Sequence, residues 1–108
     1  MTTNLRGKDM ITVQEWDRAQ LKTVLNVADR LKAEYAANNW AHFGALQGHS
    51  LFELFYNTST RTRNSFEAGI NQLGGYPHIM SPDQLQLEHG ESANETAKVL
   101  SRYGHALA

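Results

Sequence analysis

The chain of 108 residues has no cysteine, two prolines and no apolar run long enough to cross a bilayer. Without cysteine there is no disulfide, no thiolate-bound zinc and no thiol nucleophile. A membrane-spanning helix needs roughly 20 consecutive apolar residues, and no stretch here approaches that. Neither sign of charge is in excess: 10 Lys+Arg oppose 11 Asp+Glu, a formal net charge of −1. A nucleic-acid binder normally carries a clear basic surplus, so neither nucleic acid nor membrane is expected as a partner. The opening Met1-Thr-Thr-Asn-Leu-Arg-Gly-Lys8 lacks the apolar core of a secretory signal. A reducing, cytoplasmic location is the expectation. What is present, 41% hydrophobic and 19% charged residues, is the balance of a soluble globular domain. One domain is the most this length accommodates.

The pattern alternates helices with strands. Leu21, Val24, Leu25, Ala28, Leu31 and Tyr35 recur at offsets of 3, 4, 7, 10 and 14, the spacing of one apolar helix face. Asp17 followed by Gln20 forms a capping-box pattern, and Asn38-Asn39 supplies a stop. Arg18, Lys22, Asp29, Arg30 and Lys32 take the wet side. Gly44 to Gly48 reads as a turn, and His49 to Tyr56 as a short, aromatic-rich strand of the kind buried in a parallel sheet. The polar segment Asn57 to Arg63 follows, then a second helix through Phe66, Ile70 and Leu73 that stops at Gly74-Gly75. Tyr76 to Met80 reads as a second strand and Ser81 to Gly90 as a loop. Glu91 or Ser92 opens a third helix through Val99, Leu100 and Tyr103, Gly104 closes it, and His105 to Ala108 begins another strand. This order predicts an α/β domain with a mainly parallel sheet flanked by helices and joined by right-handed crossovers.

The segment richest in chemistry is Thr58-Ser-Thr-Arg-Thr-Arg63, between a strand and a helix. In open α/β sheets, ligands bind beyond the carboxyl ends of strands. A helix start adds unpaired N–H groups and a positive dipole end. Ser59, Thr60 and Thr62 contribute hydroxyls, and Arg61 a guanidinium fork suited to phosphate oxygens. Residues 48–108 hold four basic side chains (Arg61, Arg63, Lys98, Arg102) against six acidic ones, so half of the positive charge sits in this loop. A Walker-type loop is excluded, because no glycine-rich Lys-Ser/Thr run is present. Two readings remain open at this point: a phosphate site, or a Thr-rich solvated turn that caps a helix.

Other candidates are weaker. His42, His49, His78 and His105 have no metal-ligand spacing, and His105 is expected to pack at a strand start. Glu91 and Glu95 suit the dipole at a helix start better than an acid–base pair. No base lies near Ser59 to Thr62 to activate a nucleophile, so covalent catalysis is not expected.

Ser59-Thr-Arg-Thr-Arg63 with Ser65-Phe-Glu67 resembles the carbamoyl-phosphate signature of the aspartate/ornithine carbamoyltransferase family. The resemblance continues through Gln72-Leu-Gly-Gly75, Asp83-Gln-Leu-Gln-Leu87, Gly90-Glu-Ser92 and Thr96 to Tyr103, covering roughly residues 46–108 and, more loosely, the first helix. It implies that Ser59, Thr60, Arg61 and Thr62 bind carbamoyl phosphate. Arg61 would bridge the phosphate and leaving-group oxygens, and Thr62 would polarise the carbamoyl oxygen. Arg63 is assigned to structural pairing within the domain. Gln86 would contact carbamoyl phosphate in a neighbouring subunit of a trimer. His89 stands where aspartate-type members usually carry lysine, which favours the ornithine side.

The resemblance implies a transferase that moves a carbamoyl group from carbamoyl phosphate to an amine, with no cofactor and no metal. Ornithine leads as acceptor, pointing to arginine metabolism. Aspartate, putrescine and an N-acylated ornithine stay open, as does a non-catalytic domain that binds anions or assembles subunits. Residues 1–108 are expected to be a carbamoyl-phosphate-binding domain cut short at its C-terminal end, without the amine-binding domain and inactive alone.

Overall fold

The computed structural model describes residues 4–38, 44–55, 59–81 and 92–108. They fall into two compact units, Met1–Ala41 and His42–Ala108. The predicted loop carrying Gln86 and His89 lies outside the described residues.

In the first unit, one 3-10 turn at Val13–Glu15 leads into helix α1, Arg18–Ala36. The predicted capping box forms: Asp17 Oδ1 accepts from the Gln20 N–H at 2.8 Å, and Gln20 Oε1 accepts from the Asp17 N–H at 2.9 Å. Asn38, with φ 56°, takes the left-handed turn that stops the helix. Lys8 lies 5.3 Å from the centre of the Trp16 ring, whose N–H donates to the Asp9 carbonyl. The wet side is exposed as read. The apolar face, expected to be packed, is instead largely open: Leu25 is 64% and Tyr35 48% exposed, and the buried residue of α1 is Thr23. Its own unit offers it only a 3-10 turn and an extended lead-in, too little chain to cover a helix face.

The second unit is the α/β part. Strand β1, Ser50–Leu54, is central, with β2, Tyr76–Met80, on one side and β3, Ala106–Leu107, on the other, all parallel. Helix α2, Thr60–Gln72, joins β1 to β2, and α3, Ala93–Tyr103, precedes β3. The first crossover runs outward from β1 to β2 and the second runs back across β1 to β3, so right-handedness places α2 and α3 on opposite faces. Side chains on β1 alternate accordingly. Leu51 and Glu53 share one face, while Phe52 lies on the other, where its ring stacks on His78 and lies against Gly104. A Cβ at Gly104 would come within 2.4 Å of that ring, so only glycine fits between α3 and β3. Leu51, Phe52 and Leu100 form the buried apolar core. The register pairs Ser50 with Tyr76 and Leu54 with Met80, and the Tyr76 N–H donates to the His49 carbonyl at 2.9 Å.

One boundary differs from the sequence reading. The segment Asn57 to Arg63, expected to precede the helix, already contains its first turn, since α2 begins at Thr60. Apolar periodicity starts only at Phe66, but unpaired N–H groups and backbone geometry begin a helix before its packing face appears.

Candidate anion-binding site

Where β1 ends, the chain reaches Ser59, the residue before α2. Ser59 has φ −137° and ψ 84°, and its side chain makes no capping hydrogen bond. The first helical bond is the Arg63 N–H to the Ser59 carbonyl at 3.1 Å. The N–H groups of Thr60, Arg61 and Thr62 therefore lack intrahelical partners and point out of the helix start. Ser59 is half-buried, and Thr60, Arg61 and Thr62 are exposed. Further along, Asn64 Nδ2 donates to the Thr60 carbonyl at 2.7 Å and Ser65 Oγ to the Thr62 carbonyl at 2.8 Å, holding the first turn from behind. The four predicted residues Ser59, Thr60, Arg61 and Thr62 are thus gathered at one helix start, at the carboxyl end of the central strand. Hydroxyls, open amides, a helix dipole and a guanidinium there suit an anion with several oxygens.

Arg63, read as a structural pairing residue, forms no ion pair among the described residues, where the ion pair is Arg30–Glu34. Its field nevertheless reaches Glu53, which the sequence reading did not single out. Glu53 is 0% exposed, and among the described residues neither carboxylate oxygen has a hydrogen-bond partner. Burial raises its pKa above the usual carboxylate value, Glu67 raises it further, and Arg63 lowers it. Such an acid supports folding while protonated. That contribution is whole below the ordinary glutamate range and is lost as pH rises through the raised value. An acid amid the apolar run Leu51-Phe-Glu-Leu-Phe55 was the available signal.

His42 and His89 lie outside the described residues, and His49 and His105 lie away from Ser59. His49 and His105 precede β1 and β3, at the opposite end of the sheet from Ser59, with ring centres 4.5 Å apart. His105 is exposed rather than packed, yet its Nδ1 accepts from the Ser50 N–H at 3.1 Å and ties the starts of the two strands. Among the described residues, no three His, Asp or Glu side chains gather as metal ligands. Also among them, no helix is long and apolar enough to cross a membrane. Glu95 serves the start of α3, as read; Glu91 lies outside the described residues.

Known proteins resemble this chain in sequence and in fold. Residues 8–108 match the family described as aspartate/ornithine carbamoyltransferase, carbamoyl-P binding domain. The ornithine carbamoyltransferase of Thermococcus kodakarensis is 41% identical over 95% of this chain and 32% of its own length. That of Symbiobacterium thermophilum is 44% identical over 94% and 32%. Among solved structures, ornithine carbamoyltransferase from Pyrococcus furiosus superposes with a TM-score of 0.90 at 34% identity, over 98% of this chain and 33% of that one. Aspartate transcarbamoylase from Trypanosoma cruzi, in complex with carbamoyl phosphate and aspartate, gives 0.83 at 26% identity, over 95% and 33%. The chain thus spans about a third of the length of these relatives.

Proposed function

We propose a function on the premise that this chain belongs to the aspartate/ornithine carbamoyltransferase family, over residues 8–108. It is the carbamoyl-phosphate-binding domain of an enzyme that transfers the carbamoyl group to an amine, with ornithine as the leading acceptor. The observation that carries this reading is the start of α2, where Ser59 makes no side-chain cap and, among the described residues, the N–H groups of residues 60–62 have no partner beside Arg61. The ornithine carbamoyltransferases among its relatives, and His89 in place of lysine, support ornithine over aspartate.

In this reading the amides of residues 60–62 and the hydroxyls of Ser59 and Thr60 hold phosphate oxygens. Arg61 spans the phosphate and the oxygen that will leave with it, and Thr62 donates to the carbamoyl oxygen. The neutral amine attacks the carbamoyl carbon, the carbonyl electrons move onto oxygen, and the tetrahedral oxyanion collapses with loss of phosphate. The attacking nitrogen's proton passes to an oxygen of the departing phosphate, which leaves with it. No protein atom becomes covalently attached. Rate enhancement comes from orienting two substrates and from fixed positive charge where negative charge develops. Gln86 of a neighbouring subunit completes the site in a homotrimer, and the enzyme works in the cytoplasm.

Calorimetric titration with carbamoyl phosphate tests the reading. The protein should bind it, inorganic phosphate should compete, and Arg61→Ala should remove binding while circular dichroism stays unchanged. Equal binding by the wild type and Arg61→Ala overturns the assignment. A panel of amine acceptors, assayed with the protein and carbamoyl phosphate, identifies the second substrate.

A further inference from the structure

Glu53 is a charged residue type in the least suitable place for a charge. It sits on the central strand, on the face covered by α2, with no exposure and, among the described residues, no hydrogen-bond partner for either oxygen. Burying an unpaired carboxylate is costly enough that such a group either keeps its proton or acquires a cation. The groups facing it can be named. Along α2, Arg63, Glu67 and Ile70 recur at offsets of 4 and 7 and share one helix face, and Arg63 and Glu67 are the charges whose fields reach Glu53. On β2 the residue opposite is the apolar Ile79. On the other side β3 brings Leu107 beside Phe52, and then Ala108, whose backbone carbonyl accepts from the Leu54 N–H at 2.8 Å. Among the described residues, Arg63 is therefore the cation available to Glu53. It is exposed, has no ion-pair partner among the described residues, and lies one helical turn beyond Ser59. Its planar fork could satisfy both orphaned oxygens at once.

Resting on the carbamoyl-phosphate reading of the α2 loop, we propose that Glu53 is a positioning residue that acts through Arg63. With its proton kept, the Glu53 carboxyl leaves Arg63 outside, where its charge adds to the field at the helix start. With the proton released to solvent, the carboxylate draws the guanidinium inward, and the loop holds phosphoryl oxygens less tightly. A group buried beneath the site thus sets the charge the site presents. Glu67 opposes ionisation of Glu53 and so favours the tighter state.

The test is carbamoyl phosphate titration, with inorganic phosphate as a second probe, into wild type and Glu53→Gln from about pH 5.5 to 8.5. Ionisation of the ligand is common to both proteins, so the ratio of their Kd values is the readout. The wild type should match Glu53→Gln at the acid end and bind about three- to tenfold more weakly at the alkaline end. In an Arg63→Met background the difference should vanish. A ratio independent of pH, or an undiminished Glu53→Gln effect without Arg63, overturns the proposal. Nitrogen NMR of the Arg63 Nε–H, without ligand, reads the pairing directly: its shift should follow pH in wild type and not in Glu53→Gln, and identical behaviour overturns the pairing. If the wild type binds no carbamoyl phosphate at any pH, the functional reading falls, and the Arg63 signal decides the pairing alone. Glu53→Met serves in the same way should the glutamine variant fold poorly.

Discussion

Two helices of the α/β unit start at a serine, and they start differently. At α3, Ser92 Oγ accepts from the Glu95 N–H at 3.1 Å, and Glu95 Oε2 accepts from the Ser92 N–H at 3.2 Å. At α2, Ser59 makes no such bond, and the third residue on is Thr62, whose short side chain cannot reach back. α1 follows the α3 pattern with Asp17 and Gln20. A capped start has spent its donors on itself and adds about 1 kcal/mol to stability. The α2 start forgoes that contribution and keeps its donors for something outside the helix, a local loss of stability of the kind found where function needs open groups.

The sharpest way to break this contrast is Arg61→Ala. On the proposed function it should lower kcat/KM for carbamoyl transfer by about 10²–10³-fold, equivalent to about 3–4 kcal/mol of lost transition-state stabilisation, with the melting temperature unchanged; steady-state kinetics and calorimetry check both halves. Next, Thr62→Glu should turn α2 into a second α3. A closed capping box with an acid in the first turn should add about 0.5–1 kcal/mol of stability, while carbamoyl phosphate binding should weaken by more than about tenfold (1.4 kcal/mol). Urea unfolding and titration calorimetry on one sample would reveal opposite signs, and a variant that binds normally would show that the open donors have no role. Ser92→Ala should cost about 1 kcal/mol and leave anion binding untouched, as read by urea midpoint and calorimetry. Smallest of all, Ser59→Ala should change stability by less than about 0.5 kcal/mol yet measurably weaken binding.

Legibility in the sequence followed how local each cause was. The box at Asp17, the stop at Asn38, the opening of α3 at Ser92, the closing Gly104 and strand β2 depend on near neighbours in sequence, and all were read; the Ser92–Glu95 box, equally local, was not singled out. The start of α2 was read late because Ser, Thr and Arg carry no apolar periodicity, and Arg63 and Glu67 are polar on the very face that meets the sheet. Family membership and the fold class were legible from the motifs in register. Glu53 was not singled out. In a strand buried on both faces, side-chain alternation no longer separates wet from dry, so a lone acid there looks like any strand residue until its neighbours are known. The open face of α1 was missed for the opposite reason, since periodicity tells which residues share a face but not whether anything covers it.

Pro77 lies within β2, an outer strand of the three. Its neighbour Tyr76 turns its N–H inward to the His49 carbonyl, so by alternation the ring nitrogen of Pro77, which has no hydrogen to donate, falls on the outward row. A fourth strand approaching from that side would find a gap in the ladder. β2 therefore resists recruiting another chain by edge-to-edge addition. The same residue leaves the pairing with β1 intact and removes a donor from the outward row of β2, beside the exposed Tyr76.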